Sequence, residues 1–292
     1  MAPTDDPIPS PTTPPATPIV RRSETWRARY GPWAVVTGAS NGIGREIARR
    51  CAEAGLNVAL VARGRQSLDD VAAEARRAGV DARVLALDLG RPGAGAELVE
   101  SVADLELGLV VLAAGFGTSG PLVEGDLEAE LAMVDVNCRA VAEASWRLGR
   151  RLVKRGRGGL VLLSSIVAFQ GTPHAAHYAA TKAYVQTLAE GLRPEMARRG
   201  VDVLAAAPGP VHSGFAARAG MTMGKALTPR QVANGILDAL AGGGTARPGW
   251  LSKVLGYSLA TLPRPVRSRV IGQVMRSMIG TPDGGRAIER TS

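Results

Sequence analysis

The stretch Trp33-Ala-Val-Val-Thr37-Gly38-Ala-Ser40-Asn41-Gly42-Ile43-Gly44-Arg-Glu-Ile47-Ala48 decides how this chain folds. Trp33 to Thr37 is a short apolar run, as expected of a strand covered on both faces. Gly38, Gly42 and Gly44 punctuate the turn that follows. Ile43, Ile47, Ala48 and Cys51 then fall at helical spacing until Gly55 stops the pattern. A helix that starts directly on a glycine turn offers free N–H groups and the positive end of its dipole to an anion. Glycines let the backbone approach that anion closely. The residues Thr37, Gly38, Ser40, Asn41, Gly42, Ile43 and Gly44 are therefore a candidate pyrophosphate cradle. A tight turn with only a structural role is the alternative, and the position after the first strand favours the cradle.

The same alternation runs outward from this unit. Short apolar runs at Asn57–Ala62, Ala82–Leu87, Leu109–Ala113, Leu160–Ser164 and Val201–Ala206 read as strands. Between them, helical patterns cover about 67–78, with Ser67 as N-cap, then 96–102, 127–137, 140–155 and 177–198. Thr228 and Pro229 open one further helix that runs to Ala241. Strands without polar alternation, each followed by a helix, predict an α/β fold with a doubly wound parallel sheet. The segment Val211–Leu227 reads as a loop.

With 292 residues, 46% of them hydrophobic, the chain suits one α/β domain with extensions better than two full domains. The expected division is a disordered Pro-rich tail over 1–20, a nucleotide-binding domain over 21–247 and a basic helical extension over 248–292. The tail lacks the positive start and apolar core of a secretory signal. No run approaches the ~20 apolar residues needed to span a bilayer. Two cysteines, Cys51 and Cys138, have no spaced partners that suggest zinc or a disulfide framework, so the reading is cytoplasmic, with no metal. The net charge of +9 leaves three explanations open: general Arg-rich composition, a phosphate-bearing cofactor or an anionic membrane surface. No nucleic-acid-binding motif accompanies it.

The end of the second predicted strand bears on the cofactor. A carboxylate near this place accepts hydrogen bonds from the ribose hydroxyls of NAD. Here the residues are Ala62 and Arg63, with Arg65 close by. A guanidinium can bind a 2′-phosphate with two hydrogen bonds, whereas a carboxylate would repel it. NADP(H) is favoured over NAD(H), the alternative being that Arg63 is a solvated loop residue. Asp88, after the third strand, can meet an adenine edge or simply cap the segment that follows.

In the run His177-Tyr178-Ala-Ala-Thr-Lys182, a helix places Tyr178 and Lys182 on one face. A free phenol has a pKa of about 10. A nearby ammonium lowers it and would make Tyr178 a usable acid–base group. Alone, such a spacing is weak evidence.

Together these residues resemble the short-chain dehydrogenase/reductase family, in its 3-ketoacyl and hydroxysteroid reductase-like subgroup. The Thr-Gly-xxx-Gly-x-Gly pattern is matched by Thr37, Gly38, Gly42 and Gly44, and the Tyr-xxx-Lys pair by Tyr178 and Lys182. Ser165 stands thirteen positions before the Tyr, Asn137 ends a central helix, and Pro208-Gly209-Pro210-Val211 follows the sixth strand. The resemblance covers about Trp33 to Ala241. It implies a seven-stranded Rossmann fold, a nicotinamide cofactor and a homodimer or homotetramer. It also implies roles. Tyr178 exchanges the proton, Lys182 lowers its pKa and holds the nicotinamide ribose, and Ser165 polarises the carbonyl. Asn137 tethers a water in a proton relay, while Gly115, Pro208, Gly209 and Val211 lie along the cofactor. One departure stands out: the family's Asn-Ala-Gly is Ala113-Ala114-Gly115 here, which puts local rigidity at the sheet in doubt.

The implied function is NADP(H)-dependent interconversion of a ketone and a secondary alcohol on a bulky apolar, acyl-like or steroid-like substrate. Phe215, Met221 and Met223 would form a lid. Other readings stay open: an NADP-binding regulator without turnover, or a peripheral membrane protein acting through its extension. His174, His177 and His212 read as polar loop residues rather than substrate ligands. In the extension, Val266, Val270, Ile271, Val274, Met275, Met278 and Ile279 mark one helical face, with Arg267, Arg269 and Arg276 nearby. That face can pack on its own domain, on a second subunit or on an anionic membrane.

Overall fold

The computed structural model describes residues 24–220, 226–250, 252–253 and 261–279. The N-terminal tail, the lid residues Met221 and Met223, the stretch 254–260 and the end from 280 lie outside the described residues.

A short helix α1 (Glu24–Tyr30) leads into strand β1 (Trp33–Thr37) and helix α2 (Gly42–Glu53). The pattern then repeats as β2 (Asn57–Ala62), α3 (Arg65–Arg77), β3 (Ala82–Ala86), α4 (Ala94–Ser101) and β4 (Leu107–Leu112). Next come α5 (Leu127–Val134) and α6 (Ala140–Arg155), then β5 (Gly158–Leu163), α7 (Ala176–Ala197) and β6 (Val201–Ala206). The chain finishes with α8 (Gly214–Arg218), α9 (Pro229–Ala239), β7 (Gly244–Ala246) and α10 (Arg264–Met278). The seven strands form one parallel sheet in the order β3-β2-β1-β4-β5-β6-β7. This is the expected doubly wound sheet, and strand order reverses between β1 and β4.

Neighbouring residues of β1 feed opposite cores, as period-two side chains must. Ala34 and Val36 join Ile47, Leu68 and Ile236 on one face, beneath α2, α3 and α9. Val35 joins Leu98, Leu148 and Val185 on the other, beneath α4, α6 and α7. The helix α1 is stapled to the sheet at Asp202 of β6. Arg29 donates to both carboxylate oxygens at 2.5 and 2.7 Å, and the Tyr30 hydroxyl donates at 2.6 Å.

Four sequence readings need correction. Helix α3 starts at Arg65 on an extended Gly64, so Ser67 lies inside the helix and is not its cap. The helices α5 and α6 are not separated at Asn137. A π-helical turn over Asp135–Arg139 joins them, and such turns often mark functional sites. Gly244–Ala246 carries no strand signal, because three residues are too few to show a period, yet it pairs with β6 from Leu204 to Ala206. The loop after Val211 contains α8, held at its base by a bridge between Val211 and Leu227.

Candidate active site

The carboxyl ends of the strands border a cleft of about 790 Å³, at the place where strand order reverses. Its nucleotide side begins at Gly38. Gly38 has φ +68, and a Cβ there would meet Ala113 O and Ala114 N at 2.9 Å. Only glycine allows this turn to pass so close to β4. Asn41 caps α2, its side chain accepting from Gly42 N at 2.6 Å. Ser40, Asn41, Gly42, Ile43 and Gly44 line the cleft, as do Arg63 and Asp88.

Thr37 is not in the lining. It is buried, and its Oγ1 accepts from Ala114 N at 3.0 Å. The strand end that lacks the family's Asn is thus braced from β1. Asp88 lines the cleft and also accepts from Gly90 N at 3.0 Å, closing a local turn well before α4 starts.

Ser165, Tyr178 and Lys182 converge on the floor of the same cleft, with Gly115, Pro208, Gly209 and Val211 around them. Ser165 follows β5 by two residues and caps a short 3-10 turn, where it accepts from Val167 N at 3.4 Å. Its neighbour Ser164 points away and donates to Lys182 O at 3.0 Å, tying β5 to α7. Lys182 is buried, and its Nζ donates to Leu163 O at 2.8 Å. Tyr178 is half-buried, its ring tilted against Phe215 with centroids 5.3 Å apart. A Cβ on Gly115 would meet Asn137 Oδ1 at 2.9 Å and Lys182 Nζ at 3.2 Å, so the missing side chain leaves room for those two groups.

Burial pushes the Tyr178 phenol up to about 12, and a hydrogen bond with Ser165 opposes that rise. Burial pushes the Lys182 ammonium down to about 8, against a smaller upward pull from Cys138. Lys182 lies beside the Tyr178 ring as the helical spacing predicts, while its ammonium donates to a main-chain carbonyl. Its Nζ stands 5.8 Å from the Tyr178 ring centroid.

Asn137 stands apart from these residues. It is fully buried, outside the cleft lining, and its amide is engaged within the protein. Oδ1 accepts from Phe116 N at 3.1 Å, and Nδ2 donates to Phe116 O at 2.9 Å and to Thr181 Oγ1 at 3.0 Å. Its side chain positions the Phe116 backbone beside the site, with both amide N–H groups engaged.

None of the three histidines lines the cleft. His177 Nδ1 lies 2.6 Å from Glu130 Oε2, and His174 Nε2 accepts from Arg276 Nε at 3.1 Å. Sequence reasoning missed Ser67, Phe116, Val136 and Arg218 in the lining, which carry no motif. It also missed the place of Ile271, Val274, Met275 and Met278. Their helical periodicity was readable, but its destination, the cleft wall, was not.

A family model described as short chain dehydrogenase matches residues 32–223. The chain belongs to the short-chain dehydrogenase family. Among curated members, the 7beta-hydroxysteroid dehydrogenase of Clostridium sardiniense is 33% identical over 180 residues, 61% of this chain and 69% of that one. The very-long-chain 3-oxoacyl-CoA reductase of Podospora anserina is 34% identical over 181 residues, 60% of this chain and 53% of that one. Among solved structures, a short-chain dehydrogenase from Sphingobium yanoikuyae in complex with NADPH superposes with a TM-score of 0.74 at 26% identity. That match covers 88% of this chain and 99% of the other. As a short-chain dehydrogenase, the protein is a nucleotide-binding oxidoreductase of the carbonyl–alcohol class.

Proposed function

We propose that this chain is an NADP(H)-dependent reductase of a bulky apolar ketone, run in either direction between ketone and secondary alcohol. The observation that carries it is the convergence of Ser165, Tyr178 and Lys182 in the cleft that the glycine turn opens onto. The residues fit a nicotinamide dinucleotide. Gly38 leaves its backbone bare, the N-terminus of α2 faces the cleft, and Arg63 stands beside Ala62 where a carboxylate would repel a 2′-phosphate. Thr37, Gly38, Ser40, Asn41, Gly42, Ile43 and Gly44 would hold or support the pyrophosphate side, and Arg63 the 2′-phosphate. Asp88 would meet the adenine edge, and Lys182 the nicotinamide ribose. Gly115, Pro208, Gly209 and Val211 would border the nicotinamide half.

The bound nicotinamide supplies or accepts the hydride. Ser165 Oγ donates a hydrogen bond to the carbonyl oxygen and stabilises the negative charge that develops there. Tyr178 gives its phenolic proton to that oxygen, or takes it back in the reverse direction. Lys182, lowered to about 8, is poised to exchange a proton near neutral pH and so to restore Tyr178. Asn137 positions the Phe116 backbone without meeting the substrate.

The named relatives support a large apolar substrate, since one acts on a hydroxysteroid and the other on a very-long-chain 3-oxoacyl-CoA. The NADPH complex of the Sphingobium yanoikuyae protein supports the cofactor choice. We take the working form to be a cytoplasmic homodimer or homotetramer, with the tail, domain and extension divided as the sequence suggests. The test is a panel of acyl, steroid and aromatic ketones assayed with NADPH and with NADH. Turnover of at least one ketone with a preference for NADPH is expected. Tight NADPH binding with no turnover on any member would favour a regulator.

A further inference from the structure

The nucleotide residues account for one half of the cleft. The other half, beyond Tyr178, is bounded by Phe215 of α8 and by Ile271, Val274, Met275 and Met278 of α10. Every one of these side chains is apolar, and two are methionines, whose unbranched chains adapt to irregular apolar shapes. The helix α10 lies outside the residues that the family model matches, 32–223. The wall is therefore contributed by this chain's own extension.

Three contacts fix α10 in this place. Ile271 and Met275 are buried in a small cluster with Ala175, against Tyr178, Leu262 and Met278. The helix crosses the loop before α7 at Gly272, where a Cβ would meet Pro173 Cγ at 3.0 Å and Pro173 Cβ at 3.2 Å. A larger residue would hold the helix away from the loop and from the Tyr178 ring. Near the end of α10, Arg276 Nε donates to His174 Nε2 at 3.1 Å. Val266, in the first turn of the helix, does not line the cleft. The same helix thus packs on the proposed proton donor and forms the wall beside it.

We infer that α10 is the substrate-recognition wall of this enzyme, holding the bulky apolar body of a ketone whose carbonyl lies at Tyr178 and Ser165. Val274 and Met278 meet that body, and Gly272 sets the depth of the chamber. The inference rests on the ketone reductase reading given above. It adds that selectivity for large apolar ketones resides in the extension and not only in the segment after β6. No polar group of α10 lines the cleft, so the part of the substrate against this helix is apolar, while Arg218 of α8 also lines the cleft.

The test uses the full chain and two readouts. The first is calorimetric binding of a four-ring ketosteroid and of 2-dodecanone to protein loaded with NADP+, where no reduction takes place. The second is kcat/KM with NADPH for whichever of these ketones is reduced, compared with cyclohexanone. Val274→Asp and Met278→Asp are expected to weaken binding of the large ketone at least tenfold. They should lower its kcat/KM at least tenfold more than that of cyclohexanone, while NADP+ affinity stays within twofold. Gly272→Val should do the same through displacement of the helix. Val266→Asp, outside the cleft lining, should match the wild type. Wild-type binding of the large ketone in both Asp variants overturns the inference, as does binding of neither large ketone by the wild type. Equal losses for large and small ketones overturn it too. Binding that follows these expectations in a protein that reduces no ketone would sink the reductase reading and leave the apolar wall standing.

Discussion

Asn137 holds both backbone polar atoms of Phe116, accepting from its N–H at 3.1 Å and donating to its carbonyl at 2.9 Å. The amide lies on the π-helical turn between α5 and α6, which carries it into the buried space beneath the cleft. Asn137→Ala removes these bonds and leaves the Phe116 groups without their partner. We expect a loss of about 3 kcal/mol in chemical denaturation, the scale for unpairing buried polar groups. A change below about 0.5 kcal/mol, the size typical of neutral surface substitutions, would rule out the clamp.

Ser165→Ala removes the group that opposes the rise in the Tyr178 pKa and that, in the proposed mechanism, would donate to the carbonyl oxygen. Steady-state kinetics should show kcat lower by about 100-fold, the cost of losing one donor to a developing oxyanion. NADPH affinity, read by fluorescence titration, should hold. A rise in KM alone would instead make Ser165 a ground-state contact.

Lys182 gives a prediction with a definite sign. Burial lowers its pKa from 10.5 to about 8. Between those values the unfolded chain keeps a proton that the folded chain has released, so stability rises with pH across the window. The contribution is lost as pH falls through about 8. Compared with Lys182→Met, the wild type should therefore gain stability from pH 8 to pH 10 in denaturation curves. Parallel curves for the two proteins would contradict the buried, partly neutral Lys182.

Arg63→Ala tests the cofactor assignment. The guanidinium lines the cleft at the end of β2, where it would meet the 2′-phosphate that separates NADPH from NADH. Removing a charge-assisted contact of this kind costs roughly 1.5–3 kcal/mol, so NADPH affinity should fall at least tenfold. NADH affinity should barely change. An equal loss for both nucleotides would contradict the assignment.

The order of strands and helices was legible because each strand is an apolar run and each helix a period of 3.6. The glycine turn was legible because Gly38 and its partners sit where a strand meets a helix. Gly244–Ala246 was hidden because a three-residue strand preceded by Gly242 and Gly243 is too short to show a period. The pairing of Tyr178 with Lys182 was visible as spacing alone. That Lys182 also turns to Leu163 O depends on burial and on where β5 ends, which spacing does not encode. Asn137 was found by its place in a motif, yet its actual partners lie 21 and 44 residues away. Val274 and Met278 were recognised as one helical face, but only the packing of α10 on Tyr178 and Pro173 turns that face into a cleft wall.

The central claim is that Tyr178 exchanges the proton. Tyr178→Phe keeps the ring against Phe215 and removes only the hydroxyl. In the ketone panel with NADPH, the variant should bind the nucleotide like the wild type and lose turnover by about 1000-fold, within the range of general acid–base catalysis. Turnover equal to that of the wild type would contradict the account.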